Sequence, residues 1–64
     1  MKYQYLLMDG RARVSIDSAI VLQVENTEAQ ARRAIQNGEQ EGFDPVIVRA
    51  EEHGSALTNL VLLP

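Results

Sequence analysis

The residues best suited to chemistry in this sequence surround its single histidine. His53 follows Glu51 and Glu52 and precedes Gly54, so three potential metal ligands are consecutive. Adjacent residues of an extended strand point to opposite faces, and only a loop folded around an ion would use all three together. We therefore interpret His53 as a turn residue rather than as a metal ligand.

Nucleophilic catalysis needs more than the chain offers. Ser15, Ser18 and Ser55 could attack a substrate only with a base and an orienting group beside them. The single histidine lies in a predicted turn, so no such constellation is evident. Residues 38–42 contain two glycines but lie at the end of a predicted helix, whereas a dinucleotide or P-loop fingerprint precedes one. We expect no enzymatic activity, no metal and no cofactor.

Length and composition indicate what kind of fold must position these residues. A chain of 64 residues is one domain, residues 1–64, with a small core whose burial barely offsets chain entropy. The chain has no cysteine, which excludes disulfides and a Cys/His zinc site. We therefore expect oligomerisation to supply additional stability.

Charge and hydropathy limit the classes of partner. A net charge of −3 argues against general attraction to nucleic acid or anionic membranes, although a local basic face is still compatible with it. No apolar run reaches the length of a signal-peptide core or a membrane span. The expectation is a cytoplasmic protein with no membrane contact.

Asp9-Gly10 lies between two strand-like runs and predicts a β-hairpin with a two-residue type I′ turn. The turn fixes the register of the two strands and thereby sorts their side chains between two faces. The predicted core face carries Tyr3, Tyr5, Leu7, Ala12, Val14 and Ile16. The predicted outer face carries Lys2, Gln4, Leu6, Met8, Arg11, Arg13 and Ser15.

Residues 19–25 are rich in β-formers and predict a third strand. A three-residue loop before this strand aligns Ile20, Leu22 and Val24 with the core face. Val21 then lies on the outer face, on the same side of the sheet as Leu6 and Met8.

One helix should follow the third strand. Thr27 and Gln30 match a capping box, which marks a helix start. The residues at helical spacing after it form a narrow stripe suited to close packing on a sheet (Ala31, Ala34, Ile35 and Gly38). We place the helix end at Gly42 in preference to Gly38.

Two more strands complete the predicted sheet. Asp44-Pro45 favours extended backbone before residues 46–50, and His53-Gly54 predicts a turn before a last strand at residues 57–63. A crossover through the helix would place residues 46–50 parallel to another strand of the sheet. The order βββαββ predicts an α+β fold, a single mostly antiparallel sheet with one helix packed on one face. Residues 60–64 could pair within the monomer or exchange with a neighbour.

One helix leaves the predicted outer face uncovered. Burial of Leu6, Met8 and similar side chains is worth about 2 kcal/mol each, whereas scattered surface apolar residues need no explanation. We predict a partner-binding surface made of these two residues with Val21, Arg11 and Arg13. The expected partner is a second copy, through sheet faces or edge strands, and a dedicated heteropartner is the alternative.

The leading functional hypothesis is a small non-enzymatic interaction protein. The alternative is a nucleic-acid-associated regulator that uses Lys2, Arg11 and Arg13, although it lacks exposed aromatics for base stacking. The order of the first three strands and the threonine-capped helix is similar to that of HicB-type antitoxins. The Pro- and Gly-containing segment of that family is missing, so no functional residue is carried over. A small-metabolite-binding domain is the third hypothesis.

Overall fold

A computed structural model describes all 64 residues and contains four strands and one α-helix. The strands are β1 (Tyr3–Met8), β2 (Val21–Glu25), β3 (Val46–His53) and β4 (Ala56–Leu62), and the helix is α1 (Glu28–Gln36). Short 3-10 turns occupy Gly10–Arg13, Ile16–Ser18 and Glu41–Phe43. The strands form one sheet in the order β2-β1-β3-β4, with every neighbouring pair antiparallel. The predicted α+β class, a mostly antiparallel sheet with one helix, is confirmed.

Strand directions follow from the central position of β1. Because β2 and β3 are each antiparallel to β1, they run parallel to each other on its two sides. The prediction that residues 46–50 run parallel to another strand of the sheet is therefore confirmed. The two parallel strands are not hydrogen-bonded neighbours, since β1 lies between them.

The predicted hairpin at Asp9-Gly10 is wrong, and the order of elements has one strand fewer than predicted. The Asp9 carboxylate accepts a hydrogen bond from the Arg11 N–H at 2.9 Å and caps the turn Gly10–Arg13. Aspartate favours such a local bond at the start of a helical turn, and this geometry competes with a type I′ turn. Residues 11–16 therefore form no strand, and β1 pairs directly with β2.

The sheet is covered on both faces, by two different parts of the chain. Leu7 and Ile47 pack with Ala31 and Ala34 of α1, on what we term the helix face. On the other side, residues 9–20 fold back across the sheet. We term this segment the connector and the sheet side that it covers the connector face.

The connector places two of the predicted surface residues in the core. Leu6 and Met8 pack with Ala12, and the partly buried Ile16 and Ala19 pack against the same cluster. Leu6 is 1% exposed and Met8 is 3% exposed, so their assignment to an exposed outer face is wrong. The hairpin register assumed that residues 11–16 were part of the sheet, whereas they lie on top of it.

Several residues that were assigned to the core face are instead exposed. Val14 is 93% exposed at the surface of the connector, and Ile20 and Val24 are about half exposed. Val21 is exposed, as predicted. The register between β1 and β2 is irregular next to Met8, which shifts the alternation on which the assignment of Ile20 depended.

The helix begins where its sequence indicates and ends at the earlier glycine. The Thr27 hydroxyl oxygen accepts a hydrogen bond from the Gln30 N–H at 3.1 Å, which confirms the predicted cap. Gly38 has a φ of 79°, and its N–H donates to the Ile35 carbonyl while the Glu39 N–H donates to Ala34. These bonds form a Schellman motif. The predicted end at Gly42 is therefore wrong.

A tight turn joins β3 to β4. His53 pairs with Ala56 across a two-residue loop in which Gly54 has a φ of 60°. A positive φ at the first loop position alone is typical of a type II′ hairpin turn. The predicted turn and last strand are confirmed, and β4 pairs within the monomer, with Leu62 opposite Val48.

Truncation of Leu6 should destabilise the monomer strongly. We expect Leu6→Ala to lower the free energy of unfolding by about 2–5 kcal/mol because it leaves a cavity under the connector. Val14→Ala removes a similar apolar side chain from the surface and should change stability by less than about 0.5 kcal/mol. Urea denaturation followed by circular dichroism measures both, and equal effects would contradict burial of Leu6 within the monomer.

The two glycines after the helix should respond oppositely to alanine. Gly38→Ala forces a Cβ into left-handed backbone and should cost about 1–2 kcal/mol. Gly42 has no positive φ, and a Cβ added there would meet no other atom within 4 Å. Gly42→Ala should therefore be neutral or stabilise by up to about 1 kcal/mol. Thermal midpoints of the two variants provide the comparison, and a larger loss at Gly42 would show that the helix ends there.

Candidate interaction surface

The basic residues predicted to form a patch are each paired with an acid. Arg13 lies 2.6 Å from the Asp44 carboxylate and Lys2 lies 3.3 Å from Glu52. Arg11 and Arg13 belong to the connector rather than to the sheet. The chain therefore presents no group of free cations at these positions.

Arg11 is held close to its own connector by Asp9. The guanidinium donates from Nε and Nη2 to the nearly buried Asp9 carboxylate, at distances between 2.8 and 3.2 Å. These hydrogen bonds lower the pKa of Asp9 despite its burial, and they raise the pKa of Arg11. The Asp9 N–H also donates to the Ile20 carbonyl, so the residue closes the connector at both ends.

The residues around His53 form hydrogen bonds across the β3–β4 hairpin. The Asn59 side-chain amide donates to Glu51, and the His53 ring lies 3.2 Å from the same carboxylate. The hydrogen bond from Asn59 is the main cause that lowers the pKa of Glu51, and the hydrogen bond with His53 lowers it further. Glu52 points to the opposite sheet face, as expected for adjacent strand residues. No group of three or more His, Cys, Asp or Glu side chains is arranged to hold a metal ion.

The predicted partner-binding residues do not form one surface. Leu6 and Met8 are inside the core, so neither side chain is available to a partner in this conformation. Arg11 is engaged with Asp9 and Arg13 with Asp44. Of these five residues, Val21 alone is an exposed apolar residue.

The most exposed of the four strands is β4, the edge strand at one end of the sheet. All seven residues of Ala56–Leu62 are exposed, and four of them have large apolar side chains (Leu57, Leu60, Val61 and Leu62). The sequence from residue 54 to residue 64 contains no charged residue. Proteins normally place charges, prolines or covering segments on such an edge, because free backbone groups there recruit further strands.

Backbone geometry shows which groups of β4 are free. The Leu63 N–H donates to the Ile47 carbonyl of β3 at 2.9 Å. Successive residues of an antiparallel strand alternate between their two neighbours, so Val61 also bonds to β3. Leu60 and Leu62 therefore direct their backbone N–H and C=O groups away from the sheet.

The two outward residues also share one sheet face. Leu62 lies opposite the buried Val48, and Leu60 borders a shallow depression with Val14 and Ile16 of the connector. Both leucines are therefore on the connector face, and Val61 is on the helix face. Before Leu60 the pairing with β3 is irregular, and Asn59 has a φ of 54° at this bulge.

The opposite edge of the sheet is better protected. The edge strand β2 is shorter and contains the charged residue Glu25. The Gln23 side chain bonds to Glu25 and also to Glu39 and Gln40, from the loop after the helix. A charged residue and covering polar side chains therefore disfavour the addition of a further strand at β2, whereas β4 has neither.

The sequence predicted β4 as a strand and left open that residues 60–64 exchange with a neighbour, but these residues were not among the predicted partner-binding residues. The available signal was the absence of charge from residue 54 to residue 64. Its meaning depends on strand order, because only an edge position leaves backbone groups free. That order was not derivable from the pattern of apolar residues.

Comparison of the chain with protein-family models, with curated proteins and with solved structures finds no match. The helix of this chain is neither long enough nor apolar enough to cross a membrane.

Stability should depend on pH through Asp9. A carboxyl group whose pKa is lowered by folding stabilises the protein above its unfolded pKa of about 3.9. That contribution is lost as the pH falls through the folded pKa. Asp9→Asn keeps a good capping residue but removes the charge, so the parent should be more stable at pH 7 and the difference should shrink below about pH 4.

Chemical denaturation of both proteins at a series of pH values measures this difference. Asp17→Asn is the matched control, since Asp17 is exposed on the same connector and forms no ion pair. A parent–Asp9→Asn difference that stays constant from pH 7 to pH 2 would disprove the role of the charge.

Proposed function

We propose that this chain is a small non-enzymatic protein-interaction module that binds an extended segment by strand addition at the free edge of β4. In this mode an incoming strand gains main-chain hydrogen bonds from the edge and side-chain contacts from alternate residues. The proposal keeps the interaction role inferred from the sequence and transfers it from Leu6 and Met8 to β4.

The observation that carries the proposal is an uncharged edge strand, exposed along its whole length, whose outward backbone groups belong to leucines. Leu60 and Leu62 offer N–H and C=O groups to an added strand. Both residues are more than a third exposed, so an added strand would cover apolar surface as well. Contacts of both kinds favour strand addition over a purely polar contact.

A matched pair of lysine substitutions tests the edge. Leu60→Lys places a charge on the β4 edge, and Val24→Lys places the same charge on β2, the opposite edge strand, at a residue that is about half exposed. We expect Leu60→Lys to weaken association at least about tenfold, or about 1.4 kcal/mol, while Val24→Lys retains it. Thermal midpoints of both variants check that the fold is kept.

Association is measured in two ways, by light scattering of the purified chain across a concentration series and by capture of binding proteins on the immobilised chain. Hydrogen exchange reads the contact directly, since the amides of Leu60 and Leu62 should slow when a strand is added. A parent that associates with neither itself nor another protein contradicts the proposal. Association that survives Leu60→Lys also contradicts it.

A further inference from the structure

The free edge of β4 is complementary to itself over its second half. Leu60 and Leu62 direct backbone groups outward, and Val61 between them bonds to β3. When two β4 strands meet antiparallel, the two Val61 residues lie opposite each other at the centre. On each side of this central pair, Leu60 of one copy lies opposite Leu62 of the other. Each of these pairs matches N–H groups with C=O groups, as an antiparallel ladder requires.

We propose that the strand added to β4 is β4 of a second copy of this chain, related by a two-fold axis beside Val61. This inference rests on the proposed function, and it specifies the partner. The two sheets then join edge to edge into one continuous antiparallel sheet. The contact is isologous, so it closes after two copies.

The absence of charge from this edge permits a second copy to approach it. Each chain has a net charge of −3, so two copies repel each other on average. The segment from residue 54 to residue 64 is free of charge, and self-contact there brings no like charges together. Pairing of β4 with the β2 edge of another copy would instead meet Glu25 and the polar groups around Gln23.

The side chains of the two copies match in the same arrangement. Leu60 and Leu62 of both chains meet on the connector face, where Val14 and Ile16 border Leu60. The two Val61 side chains meet on the helix face as a pair that is not hydrogen-bonded, and such pairs bring side chains closest. The bulge at Asn59 puts the first half of β4 out of phase, which limits the ladder to the second half.

The small extent of this ladder predicts a reversible dimer. Stable protein interfaces bury about 1,200–2,000 Å² in total. Three residues from each copy supply less buried area than this. The fraction of dimer should therefore rise with protein concentration. A covalent trap is the appropriate test, since it accumulates a species that forms transiently.

The absence of native cysteine makes the trap specific. In the proposed dimer the two Val61 Cα atoms lie about 4.5 Å apart, within the range for a disulfide. Val61→Cys should form a disulfide-linked dimer under mild oxidation. Thr58→Cys is the control, because Thr58 is exposed on the same strand and the same face but lies roughly 15 Å or more from its counterpart.

The experiment follows disulfide formation by non-reducing electrophoresis and the molar mass of the parent by light scattering. We expect Val61→Cys to link more than about tenfold faster than Thr58→Cys, owing to the effective concentration within the dimer. We also expect the parent mass to rise towards twice that of the monomer. Equal rates of disulfide formation in the two variants overturn the inference. A parent mass that grows beyond that of a dimer, with no faster disulfide formation in Val61→Cys, also overturns it.

The same data separate this inference from the proposed function. A parent that is monomeric at all concentrations overturns the second-copy contact. If such a monomer captures another protein and Leu60→Lys abolishes that capture, strand addition at β4 stands with a different partner. If the Leu60→Lys variant keeps both self-association and capture of another protein, the second-copy contact and the proposed function are both overturned.

Discussion

The structure depends on the burial of three consecutive residues of the central strand. Leu6, Leu7 and Met8 are all nearly inaccessible to solvent, although neighbouring residues of a strand point to opposite faces. Both faces of the sheet must therefore be covered, in a chain that has only one helix. The helix covers one face, and an irregular connector has to cover the other.

The connector achieves this cover through Asp9. Its N–H bonds to the Ile20 carbonyl, which brings the two ends of the connector together. Its carboxylate caps the first turn and holds Arg11, so the chain bends away from the strand direction at once. Ala12 is then carried over Leu6 and Met8 as a small residue that permits close approach. A segment without regular strands thereby serves as a second layer.

The parts of the fold set by local chemistry were predictable from the sequence. Thr27 marks the helix start, Gly54 marks the last turn, and the apolar run after it forms a strand. The segment at Asp9 was mispredicted because aspartate followed by glycine is compatible with a hairpin turn and with a helical cap. In the structure the helical cap is accompanied by burial of Ala12 against Leu6 and Met8, a tertiary contact that no local pattern reveals.

The candidate site was harder to predict for a related reason. Alternation along β1 identified a second apolar face correctly, but the chain covers that face itself, with the connector. The exposed apolar surface lies instead on β4, and its exposure follows from the strand order β2-β1-β3-β4. Strand order reflects contacts between residues far apart in sequence, such as Leu6 with Val48, so local periodicity could not supply it.

The strand order also affects how the chain folds. β3 and β4 are joined by a tight turn, and such hairpins form within about 1–10 μs, before pairings that close long loops. The pairing of β1 with β3 closes a long loop that contains the connector, β2 and the helix. We therefore expect the uncharged β4 edge to form early, in a chain whose core is still open. We also expect refolding chains to meet through this edge more often as they become more concentrated, and the yield of correctly folded protein to fall with concentration.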